Sequence, residues 1–148
     1  MPNLLIQQAI TVSTDAYTAN DCIGGLQTIE APRLQKPSDL VINSITISDA
    51  AGQKAAMNII FFKVEPDDST LTDNAAIDID DAELKKVTGY VSIAADDYID
   101  FADNSVACVT AVGLPIDSDS DDLYFTIQAV GTPTYAAVTD LQITIGLL

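Results

Sequence analysis

Along stretch after stretch of this chain apolar and polar residues alternate one by one, and a two-residue period fits an extended strand with one buried and one wet face. In Val41-Ile42-Asn43-Ser44-Ile45-Thr46-Ile47-Ser48 the odd positions carry Val41, Ile45 and Ile47, while Ser44, Thr46 and Ser48 occupy the even ones. Leu123, Phe125, Ile127 and Ala129 alternate with Tyr124, Thr126 and Gln128. Leu141, Ile143, Ile145 and Leu147 alternate with Gln142, Thr144 and Gly146. Two segments are apolar on both parities, Met57–Val64 and Val106–Val112. Each is expected to be a strand covered on both faces or facing a partner. Turn chemistry separates the runs at Ser48–Gln53, Glu65–Asp68, Gly113–Pro115 and Gly131–Pro133. The spacing of roughly 8 to 20 residues accommodates about seven to nine strands, which predicts an all-β, antiparallel β-sandwich. One short helix is expected over Asp81–Val87. Asp80 and Glu83 stand at its start, Lys85 and Lys86 in its last turn, Gly89 at its end, and Leu84 and Val87 are its buried contacts.

A chain of 148 residues suits one domain, 1–148, and folding at that size buries roughly 68–70% of the surface exposed when unfolded. Six basic residues stand against 22 acidic ones and there is no histidine, leaving a net charge of -16. Nucleic acid and anionic membranes are expected to be repelled, because both are bound by lysine and arginine displacing counterions. No basic residue precedes Arg33, and Leu4-Leu5-Ile6 is interrupted by Gln7-Gln8, so neither a cleavable secretory signal nor a membrane span of about 18 apolar residues is expected. Cys22 and Cys108 are far apart and match no zinc or redox spacing. They are expected to be reduced, buried small hydrophobes, with a single disulfide as the alternative.

Catalytic chemistry finds little to work with. Without histidine neither Cys-His nor Ser-His-Asp arrangements can be built, and Gly24-Gly25 lacks the pattern of a phosphate-cradling loop. Asp117, Asp119 and Asp121 alternate like the start of a calcium-binding EF-hand loop. The pattern then fails, with Asp122 in place of glycine and Gln128 in place of glutamate. A solvated loop is expected, with a calcium site as the alternative. Asp96-Asp97-Tyr98-Ile99-Asp100 and Asp78-Ile79-Asp80-Asp81 bring carboxylates close as in a hydrolase pair, but acidic residues fill nearly every loop and no pair is marked out. Their collective effect is solubility and mutual repulsion. Contacts with other proteins must then come from apolar and hydroxyl-bearing surface. The scattered tyrosines, with no tryptophan, are a poor platform for sugars and are expected to pack at sheet rims. No enzyme activity and no cofactor is expected.

Four segments, Ala16–Leu26, Ile45–Gln53, Thr70–Ala76 and Gly131–Leu141, resemble parts of small structural proteins of tailed bacteriophages. The resemblance covers the chain from about Ala16 to its end. It implies a virion component: a capsid decoration or cement protein, with a jelly-roll-like sandwich, on the outer capsid surface. The implied partners are the major capsid protein and further copies of the chain, as a homo-trimer or dimer. The alternatives are a tail, neck or head-fibre component and, from a different class, a carbohydrate-binding module. Residues 1–12 precede the resemblance and are a candidate N-terminal arm pairing with a neighbouring subunit, with Leu4, Leu5, Ile6 and Ile10 as interface anchors. An ordinary first strand of the same sandwich is the alternative.

Overall fold

The alternating segments become strands, joined by further strands that alternation does not mark. The computed structural model describes residues 4–30, 40–116 and 120–148. Among them are ten strands: β1 (Leu4–Ile10), β2 (Cys22–Ile29), β3 (Val41–Asp49), β4 (Met57–Phe62), β5 (Val87–Ile93), β6 (Tyr98–Asp100), β7 (Ser105–Val109), β8 (Leu114–Pro115), β9 (Leu123–Ala129) and β10 (Leu141–Leu147). The count exceeds seven to nine because β6 and β8 are only three and two residues long. The protein is an all-β sandwich of two antiparallel sheets. One runs β1-β10-β3-β7-β6, with β8 also on β3, and the other β2-β9-β4-β5. The ladders nest: β1 pairs β10, β2 pairs β9, β3 pairs β7 and β8, and β4 pairs β5. The β10–β3 and β9–β4 ladders bind these pairs into sheets.

Between the sheets lies one continuous apolar cluster. The larger sheet supplies Ile6, Ile10, Ile42, Ile45, Ile47, Leu141, Ile143, Ile145 and Leu147, and the smaller one Ile23, Met57, Ile59, Phe61, Val91, Leu123, Phe125 and Ile127. The inward parity of β9 and β10 is the one their alternation predicts. In β3 both Ile42 and Ile45 point inward because the ladder to β10 slips between Gly146 and Leu147, passing over Asn43 and changing the parity there. In β2 a wider bulge between Ile23 and Gln27 is formed by Gly24 and Gly25, both left-handed at φ 83° and 77°.

Of Met57–Val64, the part Met57–Phe62 is a central strand, the first of the two alternatives, and Lys63 and Val64 lie beyond it. Met57, Ile59 and Phe61 face the core, and Phe62 is fully buried outside that cluster, beyond a bulge in the ladder to β5. Val106–Val112 is shorter than expected, since only residues up to Val109 belong to β7, and it is not covered on both faces by the described residues: Ala107 points inward while Cys108 is exposed, which leaves the alternative of a strand facing a partner. The expected helix is a 3-10 helix over Asp81–Lys86, its first amides capped by Asp80, whose Oδ1 accepts from the Ala82 amide at 2.8 Å. Its buried side chain is Glu83, not Leu84, which is exposed. A 3-10 turn of three residues per revolution aims different positions inward from those of an α-helix. Val87 is half-buried and begins β5. Gly89 lies within that strand rather than ending a helix, and Leu114 of the facing sheet packs where a side chain would stand. A second 3-10 turn, Ala95–Asp97, leads into β6. Among the described residues no helix is long and apolar enough to cross a membrane.

Candidate functional site

Three of the carboxylates singled out by spacing have structural work. Asp97 accepts from the Ala94 amide at 2.8 Å, Asp80 caps the 3-10 helix, and Asp100 pairs with Lys54 at 2.9 Å. Asp117 and Asp119 lie outside the described residues, and among the described residues Asp121 belongs to no metal-sized cluster. Among the described residues Asp67, Asp68 and Glu83 are the one carboxylate group tight enough to hold a cation, with ligand oxygens within 4.8 Å of one another. A lysine already serves it: Lys86 Nζ lies 2.6 Å from Glu83 and 3.0 Å from Asp67. Burial alone would push the Glu83 carboxyl up, but hydrogen bonds from Lys86 and Ser69 outweigh it and hold the group below the usual carboxylate range. The arrangement ties the segment after β4 to the 3-10 helix, since Glu83 also accepts from the Asp68 amide and Ser69 hydroxyl.

Neither cysteine is in a disulfide. Cys22 is buried in β2, its Sγ 3.1 Å from the Thr126 hydroxyl, and burial pushes its thiol up, so it is a poor nucleophile at neutral pH. Cys108, expected to be buried, is instead exposed on the outer face of the larger sheet. Tyr17, Tyr98 and Tyr135 are core residues rather than rim residues. Tyr17 and Tyr135 meet edge to face at 6.0 Å, and the Tyr98 hydroxyl donates to the Ala55 carbonyl at 2.9 Å. Tyr90, on β5, is exposed.

What distinguishes the molecule is a face. Along the outer side of the larger sheet, cross-strand register aligns Leu5 with Gly146 and Ser44, and Gln7 with Thr144, Thr46 and Cys108. A third row aligns Ala9 with Gln142, Ser48, Val106 and Ile99. None of these residues is charged, in a chain carrying 22 carboxylates. The surface is built of small, hydroxyl-bearing and amide side chains, with exposed Leu5 and Ile99 at opposite corners. Gly146 fits because Leu5 and Ser44 close over it: a Cβ there would fall on the Ser44 hydroxyl and 3.4 Å from Leu5 Cδ2. At one end the face runs into a shallow groove of about 300 Å³ beside Phe101, Thr139 and Asn104. The carboxylates in that groove, Asp49 and Asp140, are turned onto the backbone amides of their own turns.

The opposite side of the molecule is different. Residues 63–86 leave β4 and run over and beside the smaller sheet. Cys22 exchanges backbone hydrogen bonds with Ala75 and Asn74, the Gly24 amide donates to Asp73 at 2.8 Å, and Ile79 adjoins outward-facing Asn58, Ile60 and Gln128. This excursion carries Glu65, Asp67, Asp68, Asp73, Asp78, Asp80, Asp81 and Glu83 against Lys63, Lys85 and Lys86. Among the described residues one flank is strongly acidic and the other is an uncharged sheet face.

The four interface candidates are thereby divided. Leu4, Leu5, Ile6 and Ile10 all lie on β1, which pairs with the chain's own β10 over its whole length. Ile6 and Ile10 are buried in the core, Leu4 packs against it, and Leu5 alone of the four is exposed, at a corner of the uncharged face. Residues 1–3 of the candidate arm lie outside the described residues. The residues in the middle of the face, Ser44, Thr46, Ser48, Gln142 and Thr144, were legible only as wet sides of separate strands. The available signal was that none of those wet sides carries a charge.

The segments Ala16–Leu26, Ile45–Gln53, Thr70–Ala76 and Gly131–Leu141 meet at one end of the sandwich. Tyr17 donates its amide to Pro133, Ala50 to Asp140 and Cys22 to Ala75, and the Gln53 side chain accepts from the Thr134 amide. No family model matches the chain, and no curated protein matches it in sequence.

Proposed function

We propose that this chain is a bacteriophage virion structural protein that acts by adhesion, most specifically a decoration or cement protein on the outer capsid surface that bridges and stabilises capsomers. The observation that carries the adhesive part is the uncharged sheet face of a protein whose net charge is -16. A solvated sheet face of such a protein has no physical need to exclude charge, whereas a buried contact has, because an unpaired ion removed from water is costly. The virion part rests on the four resembling segments, and their convergence at one end of the sandwich supports treating them as one unit.

The strand order supports the finer fold reading as well. Ladders that nest first strand with last, second with next to last, and so inward are those of an antiparallel ribbon rolled into two sheets. That is the jelly roll, an architecture common among capsid proteins. In this reading β7 and β8 are one interrupted strand and β6 is an addition at the edge. The acidic flank faces solvent or another protein, since close approach to packaged DNA would be repelled. Many weak contacts repeated around a symmetric shell give the avidity that a cement requires. With three tyrosines in the core, the carbohydrate-binding alternative lacks an aromatic platform among the described residues.

The test is to count the chain in particles made by the genome that encodes it, by quantitative mass spectrometry against the major capsid protein. Copies on the order of hundreds are expected for a shell decoration. A dozen or fewer would place it in the tail, neck or head fibre, and absence from purified particles would overturn the virion reading.

A further inference from the structure

We infer that the uncharged face of the larger sheet is covered by the same face of a second copy of this chain, forming a two-fold dimer. The inference rests on the adhesive part of the proposed function and not on a place in a virion.

Charge decides between occupants. Two copies of a chain with net charge -16 repel each other wherever their acidic loops meet. Apposed through this face, the excursion over residues 63–86 lies on the far side of each sandwich, beyond two sheets about 10 Å apart. That separation, counted twice, is well over the Debye length of about 8 Å at physiological salt, so the repulsion between the two excursions, each with eight acidic and three basic residues, is largely screened. A basic partner would gain more on the acidic flank, and an acidic one finds no lysine or arginine among the aligned residues to meet it.

The chemistry of the face is complementary to itself. Hydroxyl and amide side chains such as Thr46, Thr144 and Gln142 each donate and accept, so a copy of the surface can satisfy its own groups. The two large apolar side chains, Leu5 and Ile99, stand at diagonally opposite corners of the aligned rows. A two-fold axis lying between the faces can therefore bring each Leu5 over the other copy's Ile99, the isologous arrangement that closes a dimer. The size is that of a small interface. Five strands about 4.8 Å apart, of 7, 7, 9, 5 and 3 residues and so averaging about 20 Å in length, give a footprint on the order of 500 Å² before side-chain relief, against the ~800 Å² per partner of a standard interface.

Light scattering on the purified full chain is expected to give twice the 15.6 kDa chain mass. The double variant Thr46→Glu/Thr144→Glu, which sets two carboxylates side by side in the middle of the face, is expected to be monomeric. Tyr90→Glu, adding the same charge on the other sheet, is expected to stay dimeric. Cys108 provides a reading that needs no variant, since it lies in the face while Cys22 is buried. Brief exposure to a maleimide followed by intact mass is expected to show no adduct on the dimer, one on the folded double variant and two on any unfolded chain. A monomeric wild type, or a wild-type dimer whose Cys108 reacts as fast as in denatured chain, would overturn the inference. With a monomeric wild type the face would belong to a different protein, and the particle count would still decide the virion reading on its own terms.

Discussion

Replacing Asp49 by asparagine tests how the end of the sandwich nearest the resembling segments is held. Asp49 closes β3, is 2% exposed, and is flanked in register by Leu141 and Ser105. Its Oδ1 accepts from the Ala51 amide at 2.9 Å, and its Oδ2 from the Gln53 amide at 2.7 Å and the Lys54 amide at 3.1 Å. Asparagine keeps the shape but turns one acceptor oxygen into a donor facing another donor. One buried amide is left unsatisfied, at about 1–3 kcal/mol, and the surviving bonds lose their charge assistance, for roughly another 1 kcal/mol. The sum, about 2–4 kcal/mol, corresponds in a chain of this size to a melting temperature lower by roughly 5–15 °C. Asp49→Ala, which removes every acceptor, is expected to cost at least as much. Circular dichroism melts and urea titrations at neutral pH measure both. A loss below about 0.5 kcal/mol in Asp49→Asn would refute the view that this carboxylate organises the turn.

Two further outcomes are expected. Because the Glu83 carboxyl is held below its usual range, its contribution to stability is present above the ordinary carboxylate value, 4.5, and is lost as pH falls through the lower folded value. The protection of amides over residues 65–86, measured relative to the intrinsic exchange rate at each pH, is therefore expected to fall in acid, and the deficit of Glu83→Gln relative to wild type, clear at pH 7, is expected to shrink there. Gly24→Ala should cost about 2 kcal/mol or more in urea unfolding, since the residue sits at φ 83° and its new Cβ would fall 2.4 Å from Ile10 Cγ2, inside the β1–β2 packing. A neutral result would mean that the β2 bulge relaxes freely.

The long strands were legible because their two-residue period is written in the chain itself: the inward sets of β9 and β10 are those their alternation predicts. The 3-10 helix was half legible. Asp80 as its cap follows from local chemistry, whereas the burial of Glu83 in place of Leu84 depends on Lys86, Ser69 and the Asp68 amide arriving to satisfy a carboxylate. Both cysteines read alike as small apolar residues, but Cys22 is buried in β2 between Thr126 and the chain around Asn74, while Cys108 stands on a bare face.

The amino-acid sequence determined the class of fold, because alternation, turn residues and a lack of helical periodicity act over a few residues and require no knowledge of partners. It also determined the sign and size of the charge that any neighbour must meet. Tertiary structure decided how the strands are ordered and where the bulges fall, and so which wet sides lie next to one another. Ser44, Thr46, Ser48, Gln142 and Thr144 become a single uncharged surface only through cross-strand register, a relation between residues far apart in the chain that local pattern cannot carry.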